Sequence, residues 1–289
     1  MWPLESRHDV VRLGAHRVER WVNSPAGLVC VSQAECEPAI GTRHNDPARL
    51  AAALGRLIEG GRAASTQNSA AKPMDRADLV LESPWLPVML LEAGPLLWSR
   101  NQVEALLRHR LARLFDSPGE AVAGWDLIVD HRAGDLQGLG YGLAPPVKAA
   151  LTGVAAQFGV RWTSMQPAFS WGWQRLRRQR RSAAGSGWWL WLEQDRTLVC
   201  HVQAQRVATM NAGAAPLNDV TQCRQLVSVE ALRQGVAPDS AGTILAGWQP
   251  VPANVATAGV SWVSVGGSGD SRVQHGSSKT AALMPGGAA

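Results

Sequence analysis

Segments typical of β-strands alternate with helical segments between residues 77 and 249, and this order constrains the fold more than any other feature. Its clearest part is a predicted three-stranded meander, in which "GWWLWLE", "TLVCHVQ" and "RVATMNA" are separated by short polar turns. Leucines at helical spacing predict a helix in "SRNQVEALLRHRLARLF", with Ser99 as its N-cap. This alternation predicts an α/β protein whose mixed sheets are flanked by helices.

The same region contains further elements of both kinds. "DLVLE" and "LPVMLLE" predict two strands that form a hairpin around Ser83 and Pro84. A second helix is predicted in "PPVKAALTGVAAQFG", which begins with proline and ends at Gly159. The remaining predictions are the strands "WDLIVDH", "GLGYGLA", "VRWTSMQP" and "GTILAGW", and a helix in "LNDVTQCRQLVSVEALRQG".

The flanking regions differ from the centre in composition. Residues 1 to about 60 predict a partly ordered lead, with short strands in "VERWV" and "GLVCVSQAE" and a helix that begins at Pro47 after an Asp46 N-cap. Residues 60–76 have the small polar composition of a flexible insertion. Residues 250–289 contain few large side chains, which predicts a disordered tail. We therefore expect one folded unit at residues 18–249.

Charge, cysteines and hydropathy exclude several classes of protein. A formal net charge of +5 is mild for a dedicated nucleic-acid binder. The four cysteines show neither C-x-x-C pairing nor histidines at zinc spacing, so neither a metal site nor a disulfide framework is predicted. The N-terminus lacks the apolar core of a signal peptide. The most apolar segment, residues 84–98, is interrupted by Glu92 and prolines, so we expect a cytoplasmic protein that reaches a membrane only through a partner.

The order of these elements resembles the ribonuclease-H-like, actin-like fold. The resemblance rests on this order and on the residue patterns of "LPVMLLEAGPLLW", "ALLRHRLARLF" and "VRWTSMQPAF". It covers residues from about 18 to 248. More narrowly, the sequence is similar to the cytoplasmic actin-like components of bacterial type IV pilus assembly (PilM-like) and of type II secretion (the GspL cytoplasmic domain). The resemblance implies two lobes and protein partners in an inner-membrane complex.

The resemblance also implies where a nucleotide would bind. Actin-like ATPases hold phosphates with two strand-turn-strand hairpins that carry glycine, because backbone N–H groups must approach the anion closely. We assign the first hairpin to "LESPWLPVM" and the second to "LEQDRTLVCHV", and neither contains glycine. If the first hairpin is instead "VERWVNSPAG", Asn23, Ser24 and Pro25 form its turn. In each case we expect a degenerate nucleotide site and no cofactor, with ATP disfavoured.

No catalytic residue or metal ligand is predicted. Asp126, Asp130, Glu82 and Glu92 could supply the carboxylates of a two-metal site, but their spacing does not make them converge, and we interpret them as solvated. His201 is predicted to point outward from its strand. The glycines of "GLGYGLA" lack the spacing of a dinucleotide fingerprint, so we interpret them as a strand against which another backbone packs closely.

An arginine-rich run precedes the tryptophan-rich strand. "QPAFSWGWQRLRRQRR" predicts a helix whose end carries a basic patch, formed by Arg175, Arg177, Arg178, Arg180 and Arg181. This patch is interpreted as a solvated helix end, with docking of an acidic protein or a lipid headgroup, or of nucleic acid, as the alternatives. Trp188, Trp189 and Trp191 belong to a strand buried on both faces, which leaves no indole free to stack on bases.

Three hypotheses of function follow from the sequence. The first is a non-enzymatic cytoplasmic scaffold of a pilus-assembly or secretion apparatus, peripheral to the inner membrane. The second is an active actin-like ATPase. The third is a basic regulatory protein that binds nucleic acid, for which binding would fall steeply with salt.

Overall fold

The computed structural model describes residues 9–24, 27–36, 46–67, 73–92, 99–115, 122–130, 137–179, 186–204, 206–214, 220–236, 243–248 and 261–264. The strands are β1 (Asp9–Leu13), β2 (Arg17–Ser24), β3 (Gly27–Glu35), β4 (Arg76–Leu81), β5 (Val88–Glu92), β6 (Asp126–Asp130), β7 (Gln137–Leu143), β8 (Arg161–Pro167), β9 (Ser186–Leu192), β10 (Arg196–Gln203), β11 (Arg206–Ala214), β12 (Thr243–Gly247) and β13 (Ser261–Ser264). The helices are α1 (Pro47–Gln67), α2 (Arg100–Leu114), α3 (Pro145–Phe158), α4 (Ala168–Gln179) and α5 (Val220–Gln234).

The first lobe is built on a five-stranded sheet with the order β3-β2-β1-β4-β8. β1 is antiparallel to β2 and parallel to β4, and β4 is parallel to β8. One face of the sheet, which includes Leu13 and Leu79, shares a buried core with α1 and α3. The opposite face, which includes Val10 and Val80, packs toward the second lobe. The alternation of side chains along each strand therefore gives this sheet two buried faces.

The second lobe repeats this plan. Its five-stranded sheet has the order β11-β10-β9-β12-β13, with β9 antiparallel to β10 and parallel to β12. The outer face of β9 packs on α5 through Trp188, Leu190 and Leu192. The inner face carries Trp189 and Trp191, which pack with α4 and with the first lobe. The predicted meander and the predicted burial of the tryptophan-rich strand on both faces are confirmed.

A small antiparallel sheet with the order β5-β7-β6 carries α2 on one face. α2 begins at the predicted N-cap, where Ser99 and Gln102 form a capping box. Cβ atoms built on Gly140 and Gly142 would meet leucine side chains of α2, so these glycines allow the helix to lie close to β7. The strand is closely packed as predicted, but the groups that approach these glycines are side chains and not another backbone. Among the described residues, no helix has both the length and the apolar character that a membrane crossing requires.

The N-terminal part of the chain is more structured than the sequence predicted. β1, β2 and β3 form three of the five strands of the first sheet, and β1 lies before the predicted boundary at residue 18. β1 is only five residues long, but Val10, Val11 and Leu13 are buried on its two faces. The prediction of a partly ordered lead is therefore wrong for β1, which is the central strand of the sheet.

Residues 60–67 are helical, not part of a flexible insertion as predicted, because α1 extends to Gln67. Gly61 is buried, and the Arg62 guanidinium donates to the carbonyl oxygen of Phe158, which holds this end of α1 against α3. Residues 68–72 of the predicted insertion lie outside the described residues. The small polar composition of this segment therefore did not indicate the end of α1, which α3 holds in place.

The predicted hairpin of "DLVLE" and "LPVMLLE" is wrong, because β4 and β5 belong to different sheets. β4 is enclosed between β1 and β8. After β4, the amides of Trp85 and Leu86 both donate to the carbonyl oxygen of Glu82, and this tight turn redirects the chain.

The predicted disordered tail is corrected at residues 261–264, which form β13 and pair with β12 in parallel. β13 lies at the edge of the second sheet, where backbone pairing with β12 orders this short segment. The other residues of the predicted tail lie outside the described residues.

Candidate functional site at the junction of two hairpins

Two equivalent turns, one from each lobe, meet where the lobes join. The first joins β1 to β2, and its glycine amide, that of Gly14, donates to the carbonyl oxygen of Arg17 at 3.1 Å. The second joins β9 to β10, and the amide of Glu193 donates to the carbonyl oxygen of Arg196 at 2.9 Å. Each turn connects the first two strands of its sheet. The repeated strand order of the two lobes therefore places these turns opposite each other.

Gln194 extends from the second turn into the first. Its side-chain oxygen accepts hydrogen bonds from the amides of His16 and Arg17, at 2.8 and 3.0 Å. Its side-chain Nε2 donates to the carbonyl oxygen of Arg17 at 3.3 Å. The carboxamide of this one side chain thus accepts hydrogen bonds from two backbone amides of the facing turn and donates one to a carbonyl oxygen of the same turn. We call this set of contacts, between Gln194 and residues 14–17, the Gln194 clamp.

Gly14 is required by the Gln194 clamp. A Cβ atom at position 14 would overlap the carboxamide carbon, nitrogen and oxygen of Gln194. The indole Nε1 of Trp85 also donates to the carbonyl oxygen of Gly14, at 2.8 Å. The absence of a side chain therefore lets the second hairpin approach the backbone of the first.

Next to the Gln194 clamp, a buried group of ionisable side chains surrounds Arg12. Arg12 Nε donates to Glu82 Oε1 at 2.8 Å, and Nη1 donates to Glu19 Oε2 at 2.9 Å. Trp21 Nε1 donates to Glu19 Oε2 at 3.1 Å, and Arg17 forms an ion pair with the other oxygen of Glu19. Arg12 and Glu82 are both 0% exposed, so their charges are neutralised by each other and by direct hydrogen bonds.

The second turn adds another buried carboxyl group. Glu193 accepts hydrogen bonds from the amide of Ser83, at 3.2 and 3.1 Å from its two oxygens, and from Ser83 Oγ at 2.9 Å. In the reverse direction, the amide of Gln194 donates to Glu82 Oε2 at 3.1 Å. These bonds cross between the lobes. Together with the Gln194 clamp they form what we call the hairpin junction, whose side chains are Arg12, Glu19, Glu82, Ser83, Glu193 and Gln194.

Burial shifts the pKa values of the ionisable groups in the hairpin junction. Burial and the neighbouring Glu82 carboxylate raise the pKa of Glu193 to about 8, against the opposing effect of the Ser83 donors. Burial likewise raises the pKa of Glu82, which the Arg12 charge opposes. Burial alone would lower the pKa of Arg12, but Glu82 and Glu19 raise it above its ordinary value. Glu193 is therefore mainly protonated at neutral pH, which limits the negative charge in this interior.

Next to the hairpin junction, aromatic side chains fill the space between the lobes. The Trp248 ring stacks on Trp171 of α4, with centroids 4.6 Å apart, and contacts Trp21 of β2 at 5.3 Å. The Arg12 guanidinium lies 5.4 Å from the centroid of the same ring. Trp248 is 3% exposed. A single indole thus connects the end of β12 to the first lobe and to the charged group around Arg12.

The chemical capacity of the hairpin junction follows from these contacts. The amides of His16 and Arg17 in the first turn already donate to Gln194, and each buried carboxyl group accepts hydrogen bonds from neighbouring donors. Within the part of the chain that the structure describes, no group of three or more His, Cys, Asp or Glu side chains could hold a metal ion. The arrangement is suited to joining two hairpins.

Comparison with solved structures relates this geometry to a known fold. A Bacteroides thetaiotaomicron protein with an actin-like ATPase fold and unknown function aligns with 86% of this chain and 84% of its own, at a TM-score of 0.52 and 8% identity. The PilM-PilN type IV pilus biogenesis complex aligns with 86% of this chain and 84% of the matched chain, at a TM-score of 0.55 and 13% identity. This chain has the actin-like fold.

The fold expected from the resemblance, actin-like with mixed sheets flanked by helices, is therefore confirmed. The cytoplasmic domain of EpsL from the type II secretion system of Vibrio cholerae also aligns, with 85% of this chain and 83% of its own, at a TM-score of 0.46 and 15% identity. No protein-family model matches the sequence, and no curated protein matches it.

The actin-like fold corrects the position of the first hairpin. The turn that corresponds to the β9–β10 turn is the β1–β2 turn at residues 14–16, not residues 81–89 or the turn at Asn23. This turn contains Gly14, contrary to the expectation that both hairpins lack glycine. The second hairpin, "LEQDRTLVCHV", is the predicted one. A glycine between two strand-like segments, "DVVRL" and "RVERWV", was the signal that could have identified the first.

The structure also locates the other residues singled out by the sequence. Glu82 is buried in the hairpin junction, so its predicted exposure to solvent is wrong, whereas Asp126, Asp130 and Glu92 are exposed as predicted. His201 does not point outward: it is buried and stacks on Trp188, with ring centroids 4.8 Å apart.

The predicted basic patch is described only in part. Arg175 lies on α4, with its guanidinium 4.7 Å from the centroid of the Trp171 ring. Arg177 and Arg178 belong to the same helix, whereas Arg180 and Arg181 lie outside the described residues. The patch as a binding surface remains a prediction.

Proposed function

We propose that this chain is a non-enzymatic scaffold that binds other proteins of a bacterial pilus-assembly or secretion apparatus, and that its nucleotide site is degenerate. The hairpin junction carries this proposal. In an ATPase of this fold, the donors of the two facing turns must be available to phosphate oxygens. Here the Gln194 side chain accepts hydrogen bonds from the amides of His16 and Arg17 in the first turn, and the carboxyl groups of Glu82 and Glu193 lie beside it.

The electrostatics of the hairpin junction also oppose nucleotide. A triphosphate brings several negative charges, and the buried Glu82 carboxylate would be brought close to them in a region of low dielectric constant. Arg12 does not compensate for this repulsion, because its guanidinium is already committed to Glu82 and Glu19. The same contacts that stabilise the junction therefore disfavour binding of ATP.

A role in binding proteins is supported by the fold and by the burial of the tryptophans of β9. One solved structure of this fold is a complex of PilM with PilN, so that protein associates with another polypeptide. Trp188, Trp189 and Trp191 are at most 1% exposed, which removes the indoles that a nucleic-acid surface would use for stacking. We place the protein in the cytoplasm, peripheral to the inner membrane, with the basic patch at the end of α4 as a candidate contact for an acidic partner.

The degenerate nucleotide site is tested by thermal unfolding with and without Mg-ATP. A ligand at about 100 times its Kd would stabilise the fold by about 2.7 kcal/mol, which is several degrees in Tm for a chain of this size. We expect no shift and no release of phosphate. A saturable rise in Tm, or ordered ATP between the lobes in a crystal, would identify an ATPase and contradict the proposal.

The partner is identified by crosslinking in the native cell, followed by mass spectrometry. We expect inner-membrane proteins of one assembly to be recovered with the wild-type chain. A variant with Arg175, Arg177 and Arg178 replaced by Ala tests the basic patch separately, with Arg224→Ala on the outer helix α5 as a control of the same charge type. Recovery of nucleic acid alone, in a salt-dependent manner that the triple variant loses, would favour the nucleic-acid hypothesis instead.

A further inference from the structure

We propose that Gln194 is an internal ligand of the first hairpin, and that it fixes the two lobes to each other in the way that a bound phosphate group would. This inference rests on the proposed degenerate nucleotide site, because it explains what takes the place of the nucleotide. The lobes of this protein would then be held in one arrangement at all times, and the arrangement would not depend on the supply of ATP.

The first argument is the match between the Gln194 side chain and the turn. The carboxamide oxygen lies 2.8 Å from the amide nitrogen of His16 and 3.0 Å from that of Arg17, so one acceptor serves two successive backbone donors. Successive amides that converge on one point form a typical anion-binding concavity. A neutral carboxamide oxygen can occupy this concavity beside the buried Glu82 carboxylate, which would repel a charged phosphate oxygen.

The second argument is that the contact is built from both sides. Gln194 comes from the second lobe, and Gly14 of the first lobe leaves the space that the carboxamide fills. The backbone of Gln194 takes part as well, because its amide donates to Glu82 at the end of β4. Ser83 and Glu193 add a parallel connection between the same two segments. Each lobe thus supplies donors and acceptors to the other at this point.

The test uses variants that remove the clamp from either lobe. Gln194→Ala deletes the carboxamide, and Gly14→Ala expels it, because the new methyl group would occupy its position. The double variant is informative, because the methyl group at position 14 fits once the carboxamide is gone, so the two effects should not add. Gln203→Ala is the matched control: it removes the same side chain from the exposed end of β10.

The first measurement is hydrogen exchange at single amides. In the wild type the amides of His16 and Arg17 are protected by Gln194. Loss of that hydrogen bond should accelerate their exchange about tenfold in Gln194→Ala and in Gly14→Ala. Gln203→Ala should leave both rates unchanged.

The second measurement reports the arrangement of the lobes. Cys30 is exposed on β3 and the other three cysteines are buried, so spin labels can be placed selectively at Cys30 and at a Gln225→Cys substitution on α5. We expect one narrow distribution of distances in the wild type, unchanged by Mg-ATP, and a broader distribution in both clamp variants. If either variant fails to fold, the other carries the test, since each removes the same contact.

The outcomes separate this inference from the proposed function. Unchanged exchange rates and an unchanged distance distribution in the clamp variants would overturn the role of Gln194, while the scaffold proposal would stand on the absence of ATP binding. A wild-type distribution that narrows or shifts with Mg-ATP would instead overturn both. Exchange and distance changes that the Gln203→Ala control shares would also overturn the inference, because they would not be specific to the junction.

Discussion

Buried polar side chains determine the character of the hairpin junction at the scale of single residues. Glu82 and Glu193 are 0% and 1% exposed, and Arg12 is fully enclosed between carboxylates. Removal of one partner from such a group leaves an unpaired charge and is strongly destabilising. The charge of each of these residues is therefore compensated by its neighbours, and the effect of replacing one residue depends on the others.

The raised pKa of Glu193 predicts a pH dependence of stability. Its value of about 8 in the folded protein, against 4.5 for an unperturbed group, means that the folded state binds this proton more tightly than the unfolded state. Stability from this group is therefore complete below about pH 4.5 and is lost as the pH rises to about 8. In Glu193→Gln we expect this loss to be absent, so that the difference in Tm between variant and wild type grows over this interval and then stays constant.

The control for this prediction is Glu92→Gln, which makes the same chemical change at an exposed position on β5. Its Tm should follow that of the wild type at every pH. A wild-type protein whose difference from Glu193→Gln does not vary with pH would contradict a raised pKa for Glu193. Circular dichroism melts at a series of pH values provide the measurement.

The sequence showed which residues could be charged but not which of them would meet. Glu82 follows an apolar strand and precedes Ser83 and Pro84, a local context typical of an exposed turn. Its burial depends on Arg12, which is 70 positions away in the sequence, and on the turn that contains Gln194. Pairing at such a separation leaves no local pattern, so the hairpin junction could not be predicted from spacing.

Close packing of α4 on β9 depends on a single glycine at the scale of elements. Gly172 of α4 lies against Trp191, and a Cβ atom at position 172 would overlap the indole ring. Phe169 and Trp173 of the same helix contact Trp189, with centroids 4.7 and 4.8 Å from its ring. A glycine inside a helix lowers helix propensity, and here it allows the helix to approach an aromatic strand.

This packing predicts opposite effects of the same substitution in two helices. Gly172→Ala should destabilise the fold by about 1–3 kcal/mol, because the added methyl group forces Trp191 to move within a packed core. Gly153→Ala in α3 meets no atom within 4 Å and should stabilise by up to about 1 kcal/mol through helix propensity. Urea denaturation measures both changes. Equal effects of the two substitutions would show that Gly172 has no special packing role.

Elements with strong local patterns were predicted well. The capping box at Ser99, the left-handed Gly159 with φ of 62° at the end of α3, and the alternation in β9 are all short-range signals. Two features that depend on long-range pairing were not predicted correctly. β1 was overlooked because five residues give little periodicity, and β4 was paired with the wrong neighbour because adjacent segments were expected to form a hairpin.

The two lobes share one apolar core at the scale of the whole molecule. Val10 and Val80 from the first sheet and Trp189 and Trp191 from the second contribute to it, with α4 between them. Trp248 completes this core from the end of β12. The repeated strand order of the lobes explains why the two turns face each other. The side chains of the shared core fill the space between the lobes.

Substitution of Trp248 should therefore affect both lobes together. Trp248→Ala removes the stacking on Trp171 and leaves a cavity, for which we expect a loss of about 3–5 kcal/mol in the free energy of unfolding. Trp248→Phe keeps an aromatic ring and removes a buried indole N–H that has no hydrogen-bond partner among the described residues, so its cost should be much smaller. Chemical denaturation followed by far-ultraviolet circular dichroism measures both. Comparable losses in the two variants would contradict a packing role for the ring.

The concentration of tryptophans between the lobes has an optical consequence. Trp171, Trp189, Trp191 and Trp248 lie within a few ångströms of one another or of a shared neighbour, so excitation energy passes readily among them. Intrinsic emission from such an array comes from its lowest-energy members and is strongly depolarised. Any event that separates the lobes would expose buried indoles to water and shift this emission to the red, so the protein carries its own spectroscopic reporter of how its halves meet.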